Sequence, residues 1–203
     1  MRRIVVATRS AHKLAELRAL LDLPRTTLIS LDEAGLDAPE PLEDGATFEA
    51  NARLKADYYA RRTALPVLAD DSGLEVQALE GGPGVRTRRY AGDDATDAAN
   101  NAKLLRALGD LPPERRGARY VCVLAFQERP AGRPLMMRGE FEGRIASVAR
   151  GSGGFGYDPI FEPAAEPPGG RTVGQLSAAE KNAVSHRAIA AHAMGDALRR
   201  LGY

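Results

Sequence analysis

Two adjacent acids, Asp70 and Asp71, close an apolar run that includes Leu65, Val67 and Leu68, and Ser72 and Gly73 follow them. Carboxylates delivered by a strand can bind a hard cation and activate a water, because such ions take rigidly held oxygen ligands. Asp, Ser and Gly are also ordinary turn residues, so the pair is expected at a sharp turn. Taken alone, the segment favours a plain surface turn. Other residues must supply the rest of a site.

Several segments offer such residues. Thr8-Arg9-Ser10-Ala11-His12-Lys13 lies between an apolar strand and a helix. A strand–loop–helix junction aims free N–H groups and the positive end of the helix dipole outward, which suits phosphate. Thr8 and Ser10 add hydroxyls and Lys13 a point charge, although a helix start with Ser10 as N-cap accounts for the same residues. Asn51 and Lys55, four apart, share one helical face, and Glu49 with Arg53 forms a second such pair facing elsewhere. Glu43, just before Gly45, precedes that helix and is placed to reach the face of Lys55.

The loop Gly151-Ser152-Gly153-Gly154-Phe155-Gly156-Tyr157-Asp158-Pro159 holds four glycines in six positions. Glycine lets backbone approach a ligand closely, and Phe155 or Tyr157 is available to stack on a planar base. Lys181, Ser185, His186 and Arg187 place several donors near the start of the last helix. His192 is expected to be a surface or packing residue. Arg88 and Arg89, after Gly81-Gly82-Pro83-Gly84, are open between a phosphate contact and a subunit interface.

Hydrophobic periodicity supplies the elements that must hold these groups. Strands are expected at Ile4 to Ala7, Leu28 to Leu31, Pro66 to Ala69, Leu74 to Val76, Arg119 to Glu128 and Leu135 to Val148. Helices are expected at Leu14 to Leu23, Thr47 to Arg62 and Ala95 to Leu108, and one last helix starts near Ser177, where Ser177 and Glu180 form a capping-box pattern. This order reads as an α/β fold with a mixed sheet.

Bulk properties exclude several classes. The 203 residues are 44% hydrophobic and 27% charged, neither a disordered nor a membrane composition. Lys and Arg number 28 against 27 acids, which argues against a general nucleic-acid binder, since that would show a basic excess. Cys122 is the only cysteine and sits in the apolar run Tyr120 to Leu124, so a buried small hydrophobe is expected. No segment approaches the roughly 20 apolar residues of a membrane span. A soluble, cytoplasmic protein with no membrane partner is expected.

In combination, six segments resemble the inosine triphosphate pyrophosphatase family: ATRSAHK, EDGATFEANARLKA, LADDSGLEV, GGPGVRTRRYAG, GGFGYDPIF and LSAAEKNAVSHR. The resemblance implies an elongated mixed β-sheet flanked by helices, with two lobes in one domain over residues 1–203 and a central nucleotide-binding cleft. It implies Mg²⁺-dependent hydrolysis of dITP, ITP and XTP to the monophosphate and diphosphate, by a homodimer. Asp71 would be the general base or the activator of a metal-bound water, assisted by Asp70, with Glu43 and Asp71 on the metal. Thr8, Arg9, Ser10, Ala11, His12, Lys13 and Lys55 would grip the triphosphate, with Ser72 close by, and Asn51 would also bind substrate. Phe155, Gly156, Tyr157, Asp158, Lys181, His186 and Arg187 would line the base pocket. This chain carries Ser10, His12 and Ala50 where the family commonly has Asn, Gly and Glu. Those changes keep one rival in view, a non-catalytic nucleotide binder on the same scaffold; a second rival is a pyrimidine-directed pyrophosphatase.

Overall fold

The computed structural model describes every residue from Met1 to Tyr203. In chain order the principal elements are β1 (Arg2–Ala7), α1 (Ala11–Leu20), β2 (Thr26–Ile29), α2 (Phe48–Ala60), β3 (Val67–Val76), β4 (Pro83–Gly84), α3 (Asp97–Leu108), β5 (Gly117–Gln127), β6 (Leu135–Ile145), β7 (Phe161–Pro163), α4 (Ala178–Val184) and α5 (His186–Arg200). The seven strands make one sheet in the order β2-β1-β3-β5-β6-β7, with β4 paired to β3. β1 runs parallel to β2 and to β3, whereas β4 is antiparallel to β3 and β7 to β6. The sheet is therefore mixed, as the sequence implies.

Contacts divide the chain into two compact units. The first comprises Met1–Asp71, Cys122–Gly139 and His186–Tyr203; the second comprises Ser72–Val121 and Glu140–Ser185. In the first, Ile4, Val6, Leu68, Cys122 and Leu124 from the sheet pack with Leu17 of α1 and Ala190, Ala191 and Met194 of α5. Cys122 is a buried free thiol, as expected. In the second, Leu74, Val76, Tyr120 and Phe161 pack with Leu104 and Leu108 of α3, and Tyr157 joins them. Burial of such side chains is worth roughly 1.5–3 kcal/mol each.

Three elements differ from expectation. The acidic pair is not a turn: β3 runs unbroken from Val67 to Val76, through both aspartates. Ser72 and Gly73 have turn propensity, but cationic partners of the two carboxylates and burial of the surrounding strand override it. The last helix is two helices, because Ser185 adopts an extended conformation (φ −68°, ψ 155°) between α4 and α5. Finally, α1 starts at Ala11, where the Ser10 side chain accepts from the Lys13 N–H, and ends at Leu20. Leu21 and Leu23 are buried beyond it. Pro24 restricts the residue before it to extended geometry, which keeps the helix from reaching Leu23.

Candidate active site

Successive side chains of a strand point to opposite faces, so β3 sends its two aspartates in opposite directions. On one face Asp71, 7% exposed, places Oδ1 3.1 Å from Lys55 Nζ. Its Oδ2 is buried and accepts no hydrogen bond. Lys55 also donates to Glu43 Oε2 at 3.2 Å and to the Asp70 carbonyl oxygen at 2.6 Å. One ammonium thus bridges two carboxylates and the strand that carries one of them.

Local sequence explains why Lys55 and Glu43 meet. Helix α2 is capped by Thr47, whose side chain accepts from the Ala50 N–H, and it buries Asn51, Lys55 and Tyr59 at four-residue spacing. Asn51 turns back to accept the Gly45 N–H at 2.8 Å, which ties the segment carrying Glu43 to the helix start. A Cβ at Gly45 would lie 2.5 Å from Asn51 Oδ1, so only glycine fits there. Glu49 pairs with Arg138 of β6 at 2.6 Å rather than with Arg53, as its spacing had implied. Ala50 is exposed.

The electrostatics follow from this geometry. Glu43 and Asp71 share one lysine on this face of β3. Burial pushes the Asp71 carboxyl up to about 6, against the pull of Lys55 and Lys13. Burial acts to lower Lys55, but Asp71, Glu43 and Asp70 outweigh it and raise its pKa. Two carboxylates, one of them with an unpartnered buried oxygen, fit a hard divalent cation that completes its shell with water and phosphate oxygens. No group of three or more acids, histidines or cysteines gathers into a full protein cage.

The opposite face is saturated. Asp70, 1% exposed, accepts from Lys13 Nζ at Oδ1 and from Arg187 Nε (3.0 Å) and Cys122 Sγ (3.3 Å) at Oδ2. Arg187 Nη1 donates in turn to Glu16 of α1. Burial works to raise the Asp70 carboxyl, yet Arg187 and Lys13 hold it well below the usual carboxylate range. Glu16 escapes a reading by motif, although its place three residues after Lys13 puts both on one face of α1.

In the second unit the glycine loop is organised by Asp158. Its carboxylate accepts from Tyr120 Oη (3.1 Å), the Phe155 N–H (2.9 Å) and Lys181 Nζ (2.9 Å). Gly154 has φ +74°, and a Cβ there would sit 2.0 Å from Asp158 Oδ2, so the close approach its glycine allows is to the chain's own carboxylate. The Phe155 ring is half-buried, with Lys181 Nζ 4.2 Å from its centroid. Tyr157 is buried in the core, its hydroxyl donating to the Thr87 carbonyl at 2.8 Å, and so differs from the accessible Phe155. The Gly156 N–H donates to Asp97 at 2.6 Å.

The remaining sequence candidates spread around α1, β3 and α5. Thr8 Oγ1 accepts the Ser10 N–H at 3.1 Å, and Arg9 turns toward the Ala38 carbonyl at 2.7 Å. Ala11 and His12 are exposed in the first turn of α1. Ser72 follows Asp71 on β3, half-buried. His186 is buried at the first position of α5, and His192 is exposed further along it.

Comparison with known proteins bears on what this arrangement is. A dITP/XTP pyrophosphatase from Geobacter sulfurreducens is 48% identical over 198 residues, spanning 98% of this chain and 97% of the relative. A protein of the same name from Mycolicibacterium paratuberculosis is 48% identical over 201 residues, spanning 98% and 96%. The solved structure of a HAM1 protein from Coxiella burnetii superposes with a TM-score of 0.88 at 42% identity, covering 98% of this chain and all of that one (100%). The Ham1 family model matches residues 4–197, which takes in both aspartates, the glycine loop and most of α5, and this chain belongs to that family.

Proposed function

We propose that this protein hydrolyses the non-standard purine nucleoside triphosphates dITP, ITP and XTP to the monophosphate and diphosphate, with residues 1–203 working as one catalytic domain. The observation that carries the reading is Asp71: a carboxylate with one oxygen anchored on Lys55 and the other buried without a partner. The relatives named dITP/XTP pyrophosphatase support the substrate class.

The reaction joins a water oxygen to the α-phosphorus and releases diphosphate, so it needs an aligned water and an acceptor for its proton. Asp71 Oδ2 is that acceptor, and a carboxyl raised to about 6 combines basicity with ionisation near neutral pH. Lys13 and Lys55 supply charge against the triphosphate, and the backbone and hydroxyls of Thr8 to His12 flank Lys13. Glu43 and Asp71 would hold Mg²⁺, which when bound neutralises phosphate oxygens and acidifies a water. Phe155 offers a ring face to the base, with Gly156 and Asp158 shaping the loop. Lys181 supplies a donor for a 6-keto oxygen, and it would meet an adenine amino group donor to donor. His186 remains a candidate for the same end of the substrate.

The chain has no helix long and apolar enough to cross a membrane. The family resemblance further supports a homodimer acting in the cytoplasm without nucleic-acid or membrane partners, and light scattering in solution checks the dimer. One assay tests the activity: the protein is incubated with Mg²⁺ and a panel of nucleoside triphosphates, and diphosphate is measured against orthophosphate. Diphosphate from dITP, ITP and XTP, with little from ATP and none after chelation, is the expected result. Binding without turnover would make the protein a nucleotide binder, and preference for UTP or CTP analogues would make it pyrimidine-directed.

A further inference from the structure

Phe155 sits in a stretch where glycine holds positions 151, 153, 154 and 156, and glycine loses more conformational freedom on ordering than any other residue. The structure nonetheless bonds the backbone on both sides of the ring. Before it, the Gly153 N–H donates to the Gly174 carbonyl at 2.9 Å, and the Phe155 N–H donates to Asp158 at 2.9 Å. After it, the Gly156 N–H donates to Asp97 Oδ2 at 2.6 Å, and Asn101 Nδ2 donates to the Gly156 carbonyl at 3.1 Å. Asp97 and Asn101 stand four apart on α3, so they share a face and grip one residue at its N–H and at its C=O. Thr96 caps that helix by accepting the Ala99 N–H at 3.1 Å, which fixes the turn that carries Asp97. Asn101 is 9% exposed, and its Oδ1 is buried and accepts no hydrogen bond. Burying a half-satisfied amide costs stability that an apolar side chain at the same place would not. What the amide adds is its hold on Gly156.

From this two-sided hold we propose that Asp97 and Asn101 are positioning residues for base binding: α3 fixes Gly156, and Gly156 fixes the angle at which the neighbouring Phe155 presents its ring. The inference rests on the pyrophosphatase reading for the base that the ring meets, and it adds α3 to the elements that serve the site. Both residues act through the loop and not on the base itself. A ring held in its stacking orientation before the ligand arrives removes the entropy cost of ordering the loop on binding, and the gain appears as affinity. Released from α3, the loop regains that freedom, and binding weakens at the base end alone.

Kinetics with ITP and calorimetry with two ligands test this. Asn101→Ala is expected to raise KM for ITP about fivefold, the size of one lost hydrogen bond, with kcat within about twofold of the parent. Calorimetry should show inosine monophosphate binding weakened by the same factor and inorganic pyrophosphate binding unchanged. Asp97→Ala, at an exposed position that spares the core, should raise KM about threefold, and Asp97→Asn, which keeps an acceptor oxygen, should restore the parent value. The decisive measurement pairs these variants with Phe155→Ala: once the ring is gone, Asn101→Ala and Asp97→Ala should each change KM by less than about twofold. A purely structural role predicts effects that add to those of Phe155→Ala and that reach kcat and pyrophosphate binding. Additive effects, an unchanged KM in Asn101→Ala and Asp97→Ala, or a matching loss of pyrophosphate affinity overturns the proposal. Should Asn101→Ala fail to fold, the Asp97 variants and their pairing with Phe155→Ala decide the matter. A parent that binds inosine monophosphate without hydrolysing ITP refutes the activity, and the same pairings read by calorimetry then judge this assignment. A parent that neither hydrolyses ITP nor binds the monophosphate refutes both.

Discussion

Asp70 and Asp71 are chain neighbours of one residue type on one strand, yet the two faces of β3 make opposite use of them. Asp70 meets two cations and a thiol. Asp71 meets half of one lysine, shares it with Glu43, and keeps an unpartnered oxygen. Full satisfaction fixes Asp70 as an anion and makes it a support. Incomplete satisfaction leaves Asp71 a basic oxygen and a place for a cation or a water. The alternation of side chains along a strand thus separates structure from chemistry across a single peptide bond.

The most severe way to break that contrast is Asp71→Asn. Removing a general base costs on the order of 10²–10⁴ in rate, so kcat for ITP should fall by about 10³ in steady-state diphosphate release. Retained turnover would sink the role of Asp71. The same variant should be no less stable than the parent at pH 8, by thermal melting, because it removes a carboxylate that is already ionised in the unfolded chain and that folding must bury in its charged form. Asp70→Asn should do the reverse in stability. It leaves Arg187 and Lys13 short of a buried partner, and breaking a buried pair costs about 3–5 kcal/mol, which urea titration at pH 8 measures. An Asp70→Asn protein as stable as the parent would remove the distinction between the faces.

Stability against pH gives a smaller contrast of opposite sign, measured with metal chelated. Asp71 is raised from 3.8 to about 6, so the native state keeps its proton longer than the unfolded chain. Its contribution is fully present below pH 3.8 and is lost as pH rises through about 6. At 1.36 kcal/mol per unit the loss is on the order of 3 kcal/mol, and Asp71→Asn should abolish that slope. Asp70 is held below its ordinary value, so its contribution is present above pH 3.8 and is lost in acid below it. Asp70→Asn should therefore flatten the acid limb and spare the slope between pH 4 and 6 (roughly, from the ordinary carboxylate range). The smallest expected effect lies outside β3: Phe155→Ala should raise KM for ITP about tenfold, since stacking on an aromatic ring is worth roughly 1–3 kcal/mol. Melting temperature should move little, because the ring is half-buried. An unchanged KM would remove Phe155 from the base site.

Much of the scaffold was readable from periodicity and caps. Ser10, Thr47 and Ser177 each cap the helix they precede, through local side-chain to backbone bonds that a few adjacent residues specify. The four-residue spacing of Asn51 and Lys55 correctly puts them on one face, although Asn51 uses its amide oxygen on Gly45. The turn expected at Asp70 and Asp71 does not form, because the strand there depends on Lys55, Lys13 and Arg187, residues 15 to 117 positions away. The break at Ser185 was equally hidden, since both flanking segments have helical spacing and only the conformation of one residue divides them.

By itself the sequence determined the strands and helices, the buried Cys122 and the set of ionisable residues within reach of a phosphate. Those features rest on local propensity and on patterns a few residues long. Only the tertiary structure decided which charges pair. Whether a carboxylate is a support or a base depends on how many donors surround it once buried, and those donors arrive from α1, α2, β5 and α5. No spacing rule in the chain counts them.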